Sequence, residues 1–160
     1  VLADGPRDAP ARHRTLRATI DWSHDLLDPP ARALFAALAA FPGGAPLDAL
    51  AAVCGDDAAA VIAPAATLVD LALVRRTEDA DGAPRLGMLE TVRAFARERL
   101  AARADAADLR RRHADWFLAL AETAAPELTG PDQPGWLDRL EQEHDNLRAA
   151  LAWSVAHDPV

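Results

Sequence analysis

The 160-residue sequence has few features of a secreted or membrane protein. Its one cysteine, Cys54, cannot form an internal disulfide, so a reducing compartment is expected. The stretch Val1 to Ala11 contains no apolar core of a secretion signal. The longest apolar run, Ala58 to Val74, is interrupted by Pro64 and Asp70, and its composition favours a helix of a soluble core over a membrane span. We therefore predict a cytoplasmic segment of a longer protein, without membrane contact.

Lysine is also absent. All 17 basic residues are arginine, the acidic residues number 25, and the formal net charge is −8. Because phosphate neutralisation supplies most non-specific affinity for nucleic acids, this balance argues against a free-standing nucleic-acid-binding protein. A local patch of arginine side chains would be needed to overcome it.

No sequence pattern indicates catalysis. Gly43-Gly44 is not followed by the Lys-Ser/Thr pair that a P-loop requires, so this chain alone should not hydrolyse nucleotide. The run from Asp21 to Asp25 contains aspartate, serine and histidine, but neighbouring residues on a helix do not face one another. We therefore predict that the chain is not an enzyme.

Metal binding is also not expected. Glu141 and His144 have the acid–x–x–His spacing of di-iron helical bundles, but such sites need further carboxylates on facing helices. The facing helix offers Arg110 to Arg112 and His113 instead, and these arginines would repel a cation. His113 and His144 are expected to be partly buried, hydrogen-bonded helix residues, with no metal or cofactor bound to this chain.

Apolar residues at three- and four-residue steps predict helices over most of the chain. The first should begin with Thr15 as its N-cap, and Pro64 should start or kink the fourth. The helices are expected near residues 15–27, 30–41, 47–54, 58–71, 90–103, 106–124 and 135–157, with a loop at 126–134. The last two are long, amphipathic and joined by a short loop, which predicts an antiparallel pair.

A single hairpin interrupts these helices. Two short extended segments, residues 73–77 and 84–89, flank Asp81-Gly82, a strong hairpin-turn dipeptide. One hairpin among helices is typical of a winged helix, in which the hairpin is the wing. The predicted wing carries three arginines and three acidic residues: Arg75, Arg76, Arg85, Glu78, Asp79 and Asp81.

The predicted fold is therefore mostly α-helical. A linker at 1–11 precedes a winged-helix domain with one β-hairpin at 12–103, and a C-terminal α-helical hairpin follows at 104–160. A helical pair of this size suggests the first unit of a tetratricopeptide-like repeat array.

The helix before the wing bears on DNA recognition. A helix that reads base edges should offer Arg, Lys, Asn or Gln. Residues 58–71 contain none of these and one acid, Asp70. With the net charge, this composition argues against direct DNA binding. The alternative, a DNA-binding winged-helix regulator with a C-terminal dimerisation hairpin, stays open.

Several segments, in order, resemble the winged-helix domain of NB-ARC/STAND ATPases, which are multidomain signalling switches. Trp22 to Pro29 and the later Phe41-Pro42 are similar to the start of that domain. Leu68 to Val74 is similar to the segment that enters its wing. Glu143 to Trp153 resembles the beginning of the tetratricopeptide-like array in the large bacterial transcriptional regulators of this group.

Met88-Leu89-Glu90 lies where these proteins carry a Met-His-Asp motif whose histidine senses bound ADP. Here Leu89 replaces the histidine and can neither donate a hydrogen bond nor carry a charge. We therefore expect Met88 and Leu89 to fill the core beneath the wing and Glu90 to cap the next helix.

The resemblance implies a non-catalytic adaptor in a STAND-type transcriptional regulator. Its partners would be an intramolecular ATPase module, which would bind ATP or ADP, and a sensor repeat array. The adaptor would couple these two parts of the protein.

Overall fold

The computed structural model describes residues 9–79 and 82–157, and only the backbone of residues 9–14. These residues form helices joined by short loops, with three short strands between them. In chain order the elements are α1 (Ala9–Asp25), α2 (Pro29–Leu38), β1 (Ala45–Pro46), α3 (Leu47–Cys54), α4 (Ala58–Asp70), β2 (Arg75–Glu78), β3 (Pro84–Gly87), α5 (Glu90–Ala101), α6 (Ala106–Glu127), α7 (Gln133–Gln142) and α8 (His144–His157).

Helix boundaries follow local chemistry. The side chain of Asp28 accepts a hydrogen bond from the Ala31 amide at 2.9 Å and begins α2. Asp57 caps α4 in the same way through the Ala60 amide, also at 2.9 Å. At the end of α3, Gly55 has φ 79°, a left-handed conformation that glycine adopts without steric cost.

The core lies among α2, α3, α5 and α6, where the four phenylalanine side chains are buried. These are Phe35, Phe41, Phe95 and Phe117. Helix α6 packs against both α3 and α8, so it connects the winged-helix portion to the C-terminal helices. The predicted fold class, a mostly helical winged-helix domain followed by further helices, is confirmed.

The sheet has one strand more than the expected hairpin. All three strands are antiparallel and their order is β1-β3-β2, so β3 lies in the centre. Strand β1 has only two residues, and its Pro46 is tolerated because β1 is an edge strand. Of the predicted turn, Asp81 lies outside the described residues, while Gly82 has φ 79° and its amide donates to the Asp79 carbonyl at 3.0 Å.

The N-terminal predictions need correction. Helix α1 begins at Ala9, so Thr15 is not its N-cap and the predicted linker at 1–11 ends earlier. Pro10 is compatible with this start because the first helical turn needs no amide hydrogen. Residues 1–8 lie outside the described part. Helix α4 begins at Ala58, the predicted first residue, and not at Pro64, which lies inside the helix.

The C-terminal helices also differ from the prediction. The expected single helix over 135–157 is broken at Glu143 into α7 and α8, so three helices replace the expected pair. His144, expected to be partly buried, is exposed, and so are Leu137 and Leu151. The break changes the buried face, since Glu143 and Asn146 point inward instead. Helix α6 runs through Pro126, which shortens the predicted loop.

Within residues 9–79 and 82–157, no single helix has the length and apolar composition to cross a membrane. Helices α3 and α4 have this length and composition only when they are counted together, and that pair is bent by 108°.

Candidate nucleic-acid interface

The wing presents two arginines on the edge of the sheet. Arg75 and Arg76 lie on β2, where their side chains are exposed. Neither forms an ion pair or hydrogen bond with another side chain in the described part of the chain. Unpaired guanidinium groups on an exposed edge can approach phosphate without first breaking an internal ion pair.

The connection from α4 to the wing is short and anchored in the core. Leu73 and Val74 are buried, and their amides both donate to the Leu68 carbonyl, at 3.0 and 3.2 Å. Ala72, between helix and strand, has φ 54°. The direction of β2 relative to α4 is thus fixed by packing and backbone hydrogen bonds.

Helix α4 exposes an apolar face. The side chains of Ile62 and Val69 are 57% and 36% exposed, and the other exposed positions of the helix are alanines and Asp70. This face offers no hydrogen-bond donor to a base edge. Its contribution to a DNA contact is limited to shape and to methyl contacts.

Arg85, the third predicted wing cation, is not on the surface. Its side chain is buried and forms an ion pair with Glu143, with Nη2 3.2 Å from Oε2. The same Nη2 donates to the carbonyls of Gly43 and Gly44, at 3.1 and 3.2 Å. Because Arg85 lies on the central strand and is buried against Glu143 at the α7–α8 junction, it cannot contact an external phosphate.

Asn146 completes this buried polar group. This residue is 0% exposed to solvent. Its Nδ2 donates to the Gly44 carbonyl at 2.9 Å and to Glu143 Oε2 at 2.6 Å, while its Oδ1 accepts from the Gly43 amide at 3.2 Å. We call Arg85, Glu143 and Asn146 the junction cluster. It joins β3, the loop before β1, and the start of α8.

The two glycines of that loop are explained by close packing. Gly44 has φ 78°, and a Cβ on it would lie 2.9 Å from the Leu86 carbonyl oxygen. A Cβ on Gly43 would lie 3.2 Å from Asn146 Nδ2. Sequence reasoning considered these glycines only as an incomplete P-loop. It also missed Glu143 and Asn146, although both lie in the segment that carries the resemblance.

The Met88-Leu89-Glu90 segment is placed differently from the expectation. Met88 packs partly buried against the core, but Leu89 is 51% exposed and does not fill it. Glu90 begins α5, and its carboxylate accepts hydrogen bonds from Arg93 and Arg97. The hydrogen bond from Arg93 lowers the pKa of Glu90. This carboxylate is therefore an ion-pair partner and makes no side-chain cap.

Two of the histidines flagged in the sequence are packed against aromatic rings. His113 is buried with its ring centroid 4.7 Å from those of both Phe41 and Phe117. Burial lowers its pKa to about 4. His24 lies 5.4 Å from Phe35 and 5.5 Å from Phe95, between ring centroids. The described residues contain no group of three or more His, Cys, Asp or Glu arranged to hold a metal ion.

Comparison with known proteins supports the winged helix directly. Residues 27–101 match the winged helix-turn-helix domain family. The chain is 43% identical over 157 residues to two proteins named, provisionally, as HTH-type transcriptional regulators, one from Mycobacterium tuberculosis and one from Mycobacterium bovis. The aligned region is 96% of this chain and 18% of each regulator.

A second relative is more distant. An uncharacterised protein of Mycobacterium tuberculosis is 38% identical over 104 residues, which are 62% of this chain and 26% of that protein. No solved structure matches the chain at a significant level. Residues 27–101 thus match a winged helix-turn-helix domain, and nearly the whole chain is similar to a segment of much longer proteins.

These similarities correct the expectation that the chain does not bind DNA directly. A winged helix-turn-helix domain in relatives of transcriptional regulators points to DNA as the partner. The sequence argument failed because it weighed the net charge of the whole chain and the composition of one helix. Local potential at the surface decides phosphate contact, and Arg75 and Arg76 are locally unpaired.

Proposed function

We propose that this chain is the DNA-contacting winged-helix segment of a helix-turn-helix transcriptional regulator. The observation that carries the proposal is the pair of exposed, unpaired arginines, Arg75 and Arg76, on the edge strand of a winged helix-turn-helix domain. The wing arginines would contact phosphate groups, and α4 would lie against the duplex through its apolar face. Contacts of this kind position a protein on DNA but read little sequence.

A low-salt binding titration tests this proposal. The chain is titrated against a fluorescent duplex of mixed sequence, beside the double variant Arg75→Gln/Arg76→Gln. We expect the variant to bind about tenfold more weakly, because two phosphate contacts are lost. The matched control is Arg110→Gln/Arg148→Gln, which removes the same charge from exposed positions on α6 and α8. Equal weakening by both double variants, or no binding by the unmodified chain, would contradict the proposal.

Sequence preference gives a second readout. The exposed face of α4 offers only apolar groups and Asp70. We therefore expect duplexes that differ in base composition to bind with similar affinity at equal length and salt. Strong selection of one sequence by this chain alone would show that base-reading groups lie elsewhere on its surface.

A second candidate function is the coupling role that the resemblance implies. The chain would join an ATP- or ADP-binding module to a repeat array within one regulator of the STAND type. Two observations favour it: the exposed Ile62 and Val69 on α4, and the small share, 18%, of its relatives that the chain spans. A neighbouring module of the same protein would cover that apolar face.

Calorimetric titration of this chain with the segment encoded upstream of it tests the coupling role. We expect binding that Ile62→Glu abolishes, because a carboxylate would be buried without a partner. The control is Leu118→Glu, which places the same charge at an exposed leucine on α6. Absence of binding, or equal loss in both variants, would argue against the coupling role.

A further inference from the structure

The junction cluster contains three of the five buried polar side chains in the described residues, and the proposed contact with phosphate does not account for it. Arg85, Glu143 and Asn146 are 5%, 3% and 0% exposed. Burying charged groups costs free energy unless each is paired and hydrogen-bonded. Here the carboxylate is paired, and the asparagine uses both its amide nitrogen and its oxygen.

The cluster connects parts of the chain that are far apart in sequence. Arg85 lies on β3, while Glu143 lies between α7 and α8. Asn146, in the first turn of α8, holds the loop at Gly43-Gly44 from the other side. The central strand of the wing is therefore held directly by the C-terminal helices.

Antiparallel pairing between β3 and β2 passes this constraint to β2, the strand that is proposed to contact phosphate. Thr77 on β2 is the register partner of Arg85, and Arg76 is the partner of Leu86. Strand β2 pairs with β3 alone in the described sheet, because β3 lies between the two edge strands. The orientation of Arg75 and Arg76 thus depends on β3, and the position of β3 depends on the junction cluster.

We propose that Glu143 and Asn146 are positioning residues for DNA contact by the wing, so that seating of α8 on the winged-helix domain sets DNA affinity. Neither residue touches DNA; both act through Arg85 and the Gly43-Gly44 loop. Displacing the α7–α8 junction would release β3 and let the wing change direction. The inference rests on the proposed DNA-contacting role for its effect on affinity, but its structural half can be measured without DNA.

The test compares Glu143→Gln with Glu141→Gln in the 160-residue chain. Both variants remove one negative charge from the same short stretch, and Glu141 is exposed and forms no ion pair in the described structure. Less negative charge alone would strengthen DNA binding slightly and equally in both variants. Disturbing the junction cluster would weaken binding in Glu143→Gln only, so the two effects have opposite sign.

Two readouts separate the outcomes. Amide hydrogen exchange over residues 75–78 and 85–87 should become about tenfold faster in Glu143→Gln and stay unchanged in Glu141→Gln. Affinity for the mixed-sequence duplex should fall about threefold in Glu143→Gln at fixed salt. Asn146→Ala should act in the same direction, and circular dichroism identifies any variant that fails to fold.

Each other result has a definite meaning. Unchanged exchange of the wing amides in Glu143→Gln and Asn146→Ala would overturn the positioning role. Faster exchange with unchanged DNA affinity would overturn the link from α8 to DNA contact. Failure of the unmodified chain to bind DNA contradicts the proposed function, and the exchange measurement then still decides whether the cluster holds the wing.

Discussion

Ala72 carries the turn from α4 into the wing in an unfavourable conformation. Its φ of 54° is the only positive value among the described non-glycine residues. This left-handed conformation is unfavourable by about 1 kcal/mol or more for an L-residue. Glycine adopts it without steric cost, but glycine also has more conformational freedom in the unfolded chain, which offsets part of the gain. We expect Ala72→Gly to raise the free energy of unfolding by about 0.5 kcal/mol.

Urea denaturation measures this change, with Ala66→Gly as the control. Ala66 is an exposed position inside α4, where glycine should cost about 1 kcal/mol. The two substitutions should therefore move the urea midpoint in opposite directions. A loss of stability in both would show that the left-handed conformation is not a source of strain at residue 72.

His113 should make stability depend on pH. Its folded pKa of about 4 lies below the ordinary value of 6.5 because burial disfavours the charged ring. Between these values the unfolded chain binds the extra proton, so stability falls as pH falls below about 6.5 and levels off near 4. The loss attributable to this residue is on the order of 3 kcal/mol.

Denaturation across that pH range, with His113→Gln beside the parent chain, measures the effect. The variant should lose stability less steeply between pH 6.5 and 4, since its side chain does not titrate. If stability changes with pH at the same slope in the parent and in His113→Gln, then His113 binds its proton equally well in the folded and the unfolded chain.

At the scale of elements, the Arg85–Glu143 pair joins β3 to the α7–α8 junction. Removing one partner leaves the other charge buried and unpaired, at a typical cost of about 3–5 kcal/mol. We expect Arg85→Met and Glu143→Leu each to destabilise the chain by that amount. The double variant should cost less than the sum, because two apolar side chains of similar volume can pack together.

Thermal and urea unfolding of the two single variants and the double variant give this coupling free energy. Additive losses would show that the two side chains do not depend on each other for stability. The double variant should also lose protection at β3 if the charge pair, and not packing alone, fixes the wing. That comparison distinguishes stabilisation of the fold from orientation of the wing.

Local patterns predicted most elements, but not which residues of the C-terminal helices are buried. Helix α3 has the predicted bounds, Leu47 to Cys54, because its apolar spacing and the following glycine are both local signals. The break at Glu143 was missed because apolar residues keep helical spacing on both sides of it. Only tertiary contacts bring these side chains inward: Asn146 bonds to Gly43 and Gly44, and Glu143 pairs with Arg85.

The candidate site was also predicted only in part, because local patterns do not show how the strands are ordered in the sheet. The hairpin pattern located Arg75, Arg76 and Arg85 on two strands, but strand order determines which strand is covered. Strand β1, only two residues long and containing Pro46, has no usable sequence signal. Its pairing makes β3 the central strand, and the C-terminal helices then bury Arg85.

At the scale of the whole molecule, an acidic chain presents a small cationic edge. The net charge is −8, and most of the arginines that the structure describes are engaged in ion pairs, such as Arg17 with Glu98 and Arg103 with Asp105. Two exposed arginines can hold a phosphate backbone only weakly, so this chain alone should bind DNA at low salt and release it at moderate salt.

The salt dependence of DNA affinity tests the central claim most directly. Each phosphate contact contributes about 0.9 to the slope of log K against log salt concentration. The account predicts that Arg75→Gln/Arg76→Gln reduces that slope by about two, whereas Arg110→Gln/Arg148→Gln leaves it nearly unchanged. A slope that is the same in the parent and the wing variant would contradict contact between the wing and DNA.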